Sequence, residues 1–183
     1  MKWTKSLIEL RPSSIDKEGV GVFAVVNIKK GQKIAEGLSI KDFKHLVSWN
    51  KFNKMDNETK EKVVDFCVGT PDGFVPLEDM NFNLLSVDWF FNHSCVGNLG
   101  FDKNGDFIAI VDIRKGEEIT YDYGLVETNP KFEMTCICAD IKCRKVITGN
   151  DWKQLIKDKA KKKYMHPYVL LNFKSMLKIT TKV

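Results

Sequence analysis

Asn92-His93-Ser94-Cys95 puts a carboxamide, an imidazole and a thiol into four consecutive positions. Further on, Tyr121-Asp122-Tyr123-Gly124 offers two phenols at alternate positions, which on a strand face the same way. Cys136-Ile137-Cys138 and Cys143 add three thiols at metal-ligand spacing. Zinc takes four thiolate or imidazole ligands in a tetrahedron, so one place is left to fill. Cys95 suits it, in a polar loop beside His93; Cys67 lies on an apolar helix face, where a free cysteine is usually a small core residue. One zinc ion would then tie the C-terminal flap to the Asn-His segment, with an active site between them. Taken singly, Asn92, His93 and the tyrosines read as structural residues. Their order along the chain, with Gly19-Val20-Gly21 ahead and the thiols behind, points to chemistry.

The elements that must position these groups are short. Lys5 to Leu10 can form a strand ended by Pro12. Residues 15–21 make a polar turn into the β-branched run Val20–Val26, and Gly19 and Gly21 would allow a close backbone approach to a ligand. Asn27-Ile28-Lys29-Lys30-Gly31 is echoed by Asp112-Ile113-Arg114-Lys115-Gly116, which predicts two similar strand-turn-strand corners. From about Ser39 to Gly69 the spacing turns helical: Asp42, Phe43, Leu46 and Val47, then Val63, Val64 and Cys67. A hairpin is expected across Asp102-Lys103-Asn104-Gly105, and a strand over Ile119–Tyr123. Trp152, Leu155, Ile156, Ala160 and Tyr164 form an apolar stripe, with Lys153, Lys157, Lys161 and Lys162 mostly off it. The class is mainly β, with a helical insert and a C-terminal helix.

Composition narrows the setting. A chain of 183 residues, 43% hydrophobic, can bury a core. Its apolar runs are too short to span a bilayer, and Met1-Lys2-Trp3-Thr4-Lys5 lacks a signal-peptide core, so a cytoplasmic protein is expected. Five cysteines, three of them crowded, favour a metal over disulfides. Residues 1–140 carry 17 Lys+Arg against 22 Asp+Glu, and residues 141–183 carry 12 against 2, so the basic character belongs to the tail. That tail is a solvated face or a grip on an acidic partner; it supports nucleic-acid binding only weakly. Nothing signals an oligomer, and a monomer is expected.

Together, Gly19-Val20-Gly21, Asn92-His93-Ser94-Cys95, Glu118-Ile119-Thr120-Tyr121-Asp122-Tyr123 and Cys136-x-Cys138-x4-Cys143-Arg144 resemble SET-domain protein-lysine methyltransferases with a zinc-binding post-SET segment. The resemblance covers roughly residues 4–152. It implies a β-clip-like fold of small sheets around a pseudoknot. The SET domain would occupy residues 1–130 (helical insert about 39–69), the post-SET zinc segment 131–152 and a basic extension 153–183. It implies S-adenosylmethionine held by Lys17, Gly19, Val20, Gly21, Asn92, His93 and Tyr121, with Trp152 closing over it. Zinc would sit on Cys95, Cys136, Cys138 and Cys143. Tyr123 would be the catalytic tyrosine, and Tyr121 would limit the product to mono- or dimethyl-lysine on a histone or another basic protein. Three positions depart from the family pattern: Gly97, where proline is common, and Ala139 and Lys145, where glycine is. The rival readings are a catalytically silent SET-like module that recruits an acidic partner, and a small zinc-ribbon nucleic-acid binder whose spacing fits poorly.

Overall fold

A computed structural model describes residues 6–76 and 81–180, with side chains to Phe173. Met1-Lys2-Trp3-Thr4-Lys5 therefore lies outside the described residues. Twelve short strands are present among them: β1 Ile8–Pro12, β2 Val20–Ala24, β3 Lys33–Ala35, β4 Val47–Ser48, β5 Val68–Thr70, β6 Gly73–Val75, β7 Asn92–His93, β8 Leu99–Phe101, β9 Phe107–Ala109, β10 Glu118–Tyr121, β11 Glu133–Thr135 and β12 Val146–Thr148. The helices are α1 Trp49–Asn53, α2 Asn57–Phe66, α3 Trp152–Leu155, α4 Lys159–Lys162 and α5 Pro167–Thr180. The main sheet runs β1-β2-β10-β8-β9-β3, with β7 also on β10. Pro12 does not stop β1 early: it pairs with Val20 on the sheet's edge, where a missing N–H does no harm. No described helix is long and apolar enough to cross a membrane.

The sheet is organised around β10. On one edge Tyr121 is in register with His93, and on the other with Leu99. The chain from His93 to Leu99 therefore crosses over β10 from edge to edge, the threading expected of the pseudoknot. Asn98 clamps the crossing: its Nδ2 donates to the Glu118 carbonyl (2.8 Å) and its Oδ1 accepts from the Thr120 amide (3.0 Å). The crossing is close. A Cβ at Gly97 would sit 2.5 Å from the Tyr121 Cα, so glycine permits the approach.

The echoed corners pack on each other. Ile28 and Ile113 exchange both backbone hydrogen bonds (2.8 and 2.9 Å), and each is 1% exposed. Lys29 Nζ pairs with Asp112, and Asn27 accepts from the Lys115 amide.

The insert holds more than helices. Asp42–Lys44 is one 3-10 turn, Val47 lies on β4, and β4, β6 and β5 form a small sheet beneath α1 and α2. The helical spacing over 42–47 was too short to nucleate a helix against that sheet. Likewise, the stripe from Trp152 to Tyr164 breaks into two single turns, α3 and α4, because Asp158 turns its side chain onto the Ala160 amide. The basic extension is not an appendage. Ile156, Met165 and Val169 are buried with Phe101, Leu125 and Trp152 in the core under β8.

Candidate active site and metal centre

β10 ends at Tyr121, and a 3-10 turn, Tyr123–Leu125, follows Asp122. The two phenol rings lie 4.8 Å apart between centroids. Phe101 and Phe107 meet the Tyr121 ring edge-on, and His93 meets Tyr123. The Tyr123 hydroxyl donates to the Phe91 carbonyl (3.1 Å), so its proton is directed into the protein. Burial pushes the Tyr123 phenol up to about 12; burial, then the neighbouring Tyr123, Glu127 and Asp122, raises Tyr121 well above the ordinary phenol value. Both phenols are protonated at neutral pH.

The two phenols, Phe101 and Phe107 line a cavity of about 780 Å³ that reaches to Phe66 of α2, to Val68 of β5 and to His166. Five carboxylates line it: Glu36, Asp42, Asp65, Asp88 and Glu127. No described lysine or arginine does. Burial holds His166 down to about 4, so it is neutral, with one ring nitrogen on the Leu38 carbonyl and the other accepting from the Tyr168 amide. A cavity with that lining attracts cations.

Asp122, between the tyrosines, is 1% exposed. Its carboxylate takes two hydrogen bonds from the Arg144 guanidinium (2.7 and 2.6 Å), caps the Gly124 amide and lies 3.3 Å from Lys161 Nζ. Burial raises its pKa, but Arg144 outweighs that and holds the carboxyl below its ordinary range. Arg144 Nε also lies 2.8 Å from Asp151 Oδ2, a charge contact without hydrogen-bond alignment. Lys161 donates in addition to the Cys95 carbonyl (3.0 Å). Lys161, in a run of similar lysines, carries no sequence signal that would single it out.

The four thiols converge. The sulfurs of Cys95, Cys136, Cys138 and Cys143 lie within 4.8 Å of one another, and those of Cys95 and Cys136 are 3.8 Å apart. A tetrahedron with Zn–S near ~2.3 Å has sulfur edges of about 3.8 Å, so the set fits one zinc ion. The Arg144 and Lys145 amides donate to Cys95 and Cys143, as a thiolate cluster needs. Cys67 lies apart, in the insert's core. Ala139 and Lys145, two of the departures from the family pattern, have φ of +56° and +67°. A Cβ in that region costs roughly 1–2 kcal/mol. Ala139→Gly and Lys145→Gly should therefore each raise stability by about 1 kcal/mol, read by urea unfolding of the metal-loaded protein. No gain from either would mean the loop relaxes freely.

His93 joins the two centres. Its Nδ1 accepts from the Tyr123 amide (3.1 Å), and its Nε2 lies 3.5 Å from Cys95 Sγ. Burial lowers its pKa to about 4. Both ring nitrogens are thus engaged inside the protein, and the imidazole of His93, a position expected at the cofactor, joins the Cys95 thiol to the Tyr123 backbone. Trp152 is 6% exposed and packs in the core cluster with Leu125, Val126 and Ile156.

Of the other expected cofactor residues, Tyr121 lines the tyrosine cavity, while Lys17, Gly19, Val20, Gly21 and Asn92 lie off it. Asn92 Nδ2 donates to the Val20 carbonyl, to Ser13 and to Glu118, tying the Gly19–Gly21 turn to β7. A Cβ at Gly21 would lie 2.2 Å from Glu118 Oε1, so the space that glycine leaves is taken by the protein's own carboxylate. Burial raises Glu118, but hydrogen bonds from Ser14, Asn92 and Ser13 prevail and lower it. Lys17 and Val20 are exposed beside this network. An ammonium, exposed backbone and a carboxamide suit the zwitterionic end of an amino-acid-derived cofactor.

Residues 19–124 match the SET domain model. The chain belongs to the SET-domain family. Its mainly β fold of small sheets threaded at β10 is the SET fold. The SET chain is similar to the histone-lysine N-methyltransferase ASHH2 of Arabidopsis thaliana, 34% identical over 68 residues. That stretch is 33% of this chain and 4% of the relative's length. Among solved structures it is similar to ctPRC2 in an autoinhibited conformation bound to S-adenosylmethionine, at 23% identity and a TM-score of 0.46. The match covers 69% of this chain and 16% of that one.

Proposed function

We propose that this SET domain is an S-adenosylmethionine-dependent protein-lysine N-methyltransferase acting on a basic protein segment. The carrying observation is the paired Tyr121 and Tyr123 at the head of an apolar, carboxylate-lined cavity. When bound, S-adenosylmethionine supplies an electrophilic methyl on a sulfonium. Lys17, the Gly19–Gly21 backbone and Asn92 would hold it; Tyr121 borders the other side. The residues of the chain then align and desolvate a lysine. Acidic side chains gather the cationic segment, and the aromatic walls strip water from its side chain, which favours the neutral amine. Protonated phenols orient that amine by hydrogen bonds. The four thiols would hold zinc as a structural ion, fixing Arg144 against Asp122 and so both tyrosines.

The direct test is transfer of labelled methyl from S-adenosylmethionine to core histones and to a mixed cell lysate. Label on protein lysine supports the reading. Cofactor binding without transfer favours the silent module. A tyrosine at 121 leaves less room for added methyls, so mono- or dimethyl-lysine should be the product. Tyr121→Phe is expected to shift the product toward trimethyl-lysine, scored by mass spectrometry; an unchanged distribution would remove that role.

A further inference from the structure

Lysine methylation releases a proton, and neither phenol can take it while both are held protonated. Of the five carboxylates in the cavity, Glu127 is the one fixed within the segment that carries Tyr123. Glu127 follows the 3-10 turn that carries Tyr123, is 7% exposed, and lines the same cavity as both tyrosines. Its oxygens are held in place: Oε2 accepts from the Gly69 amide of β5 (2.8 Å) and Oε1 from the Asn129 amide (2.7 Å). A carboxylate has about four lone-pair sites, so the amides around it leave one open to the cavity. A Cβ at residue 69 would lie 2.5 Å from Oε1, so glycine there makes room for this carboxylate. The contact joins the insert to the strand-end that bears the tyrosines.

Resting on the methyltransferase reading, we infer that Glu127 is the proton acceptor for the incoming lysine ammonium, directly or through one water. One ammonium N–H bond breaks, its electron pair stays on nitrogen, and an O–H bond forms on Glu127. The cation and carboxylate become a neutral amine and a neutral acid, and the amine has the lone pair that a methyl donor requires. The acid gives its proton to solvent before the next turnover.

The surroundings suit a group that must gain and lose a proton. Burial pushes the Glu127 carboxyl up to about 7, with the Asn129, Gly69 and Thr128 amides opposing. The titratable groups that feel its charge are Tyr121 on β10 and Tyr168 on α5. Across the cavity lie Asp65 on α2, Asp42 and His45 in the insert, Glu36 after β3, Asp88 ahead of β7, and His166. A purely structural strut would serve equally well as a neutral amide, and that is the contrast to measure.

The test uses the full chain, metal-loaded, with core histones as acceptor. Wild-type kcat should rise with unit slope and level off near pH 7. Glu127→Gln should lower kcat about 100-fold at pH 7.5, with the rate still climbing at pH 9, while the cofactor Kd stays unchanged. Gly69→Ala, which displaces the carboxylate without removing it, should fall between the two. A second readout needs no turnover: the Glu127 carboxyl carbon, followed by NMR, should titrate at least one pH unit lower in the presence of n-butylamine, a mimic of the lysine side chain. Profiles of the same shape in wild type and Glu127→Gln, or a titration indifferent to n-butylamine, would overturn the assignment while leaving the methyltransferase reading intact. Absence of transfer by wild type to any protein would instead overturn that reading.

Discussion

Asp122→Ala is expected to cost about 3–5 kcal/mol of unfolding free energy. The carboxylate is the buried hub of an ion network: Arg144 donates twice, Lys161 approaches to 3.3 Å, and Gly124 donates its amide. Removing it leaves Arg144, 26% exposed at the side chain, and Lys161 facing an uncompensated cavity. The guanidinium still has Asp151 at 2.8 Å, which limits the loss. Arg144→Ala should cost a comparable amount, since it strands a carboxylate that is 1% exposed. The double variant should cost less than the sum of the two, because neither partner is then left alone. Chemical denaturation at pH 7 measures all three. Asp122 is held below its ordinary range, so its contribution is present above the unfolded-state carboxyl range. It is lost as pH falls through the lower folded-state pKa. A cost under 1 kcal/mol for Asp122→Ala would show that the network is decoration, and that the tyrosines are held by β10 alone.

How much of this site could be read in the sequence depends on whether a residue belongs to a pattern. The four thiols and the two tyrosines did, and each set converges, although Tyr123 comes from a 3-10 turn after β10 and not from the strand expected over Ile119–Tyr123. So did the corners at Ile28 and Ile113, whose repeated sequence becomes a reciprocal backbone pair. The glycine-free turns at Ala139 and Lys145 were visible only as departures from a family pattern, and positive φ supplies the reason. Strands of two or three residues, such as Val47–Ser48, are too short for any period to register. Their partners are set by tertiary packing against α1 and α2. Glu127 and Lys161 left no trace either. One is a single acid outside any motif, and the other is one lysine among many; only burial beside Gly69 and Asp122 distinguishes them.

His93 shows a different limit. Its position beside Asn92 put it among the candidate site residues, but residue type could not say which way the ring faces. In the strand β7, Asn92 and His93 point to opposite faces, one toward the Gly19–Gly21 turn and the other toward Tyr123 and Cys95. The same alternation that brings Asn92 to the Gly19–Gly21 turn carries the imidazole to the thiol cluster. Two neighbouring residues thus serve two different centres.

Tyr123→Phe is expected to lower methyl transfer by 10²–10³-fold, with the cofactor Kd within twofold of wild type. The fold should survive, because the lost hydroxyl makes one hydrogen bond, to the Phe91 carbonyl, and the ring keeps its contacts with His93 and Tyr121. A neutral hydrogen bond of that kind is worth about 1 kcal/mol, with a further penalty for the stranded carbonyl. The chemistry loses more than the fold does. With its proton committed to Phe91, the phenol oxygen presents only lone pairs to the cavity, so it can orient an amine N–H or a methyl group but cannot donate to either. Phenylalanine offers neither lone pairs nor a substitute. Single-turnover rates on core histones, paired with calorimetric cofactor binding, separate the two effects. A fall in rate matched by a fall in cofactor affinity would place Tyr123 in binding. An unchanged rate would leave the paired phenols as wall residues and shift the weight of catalysis to the carboxylate side of the cavity.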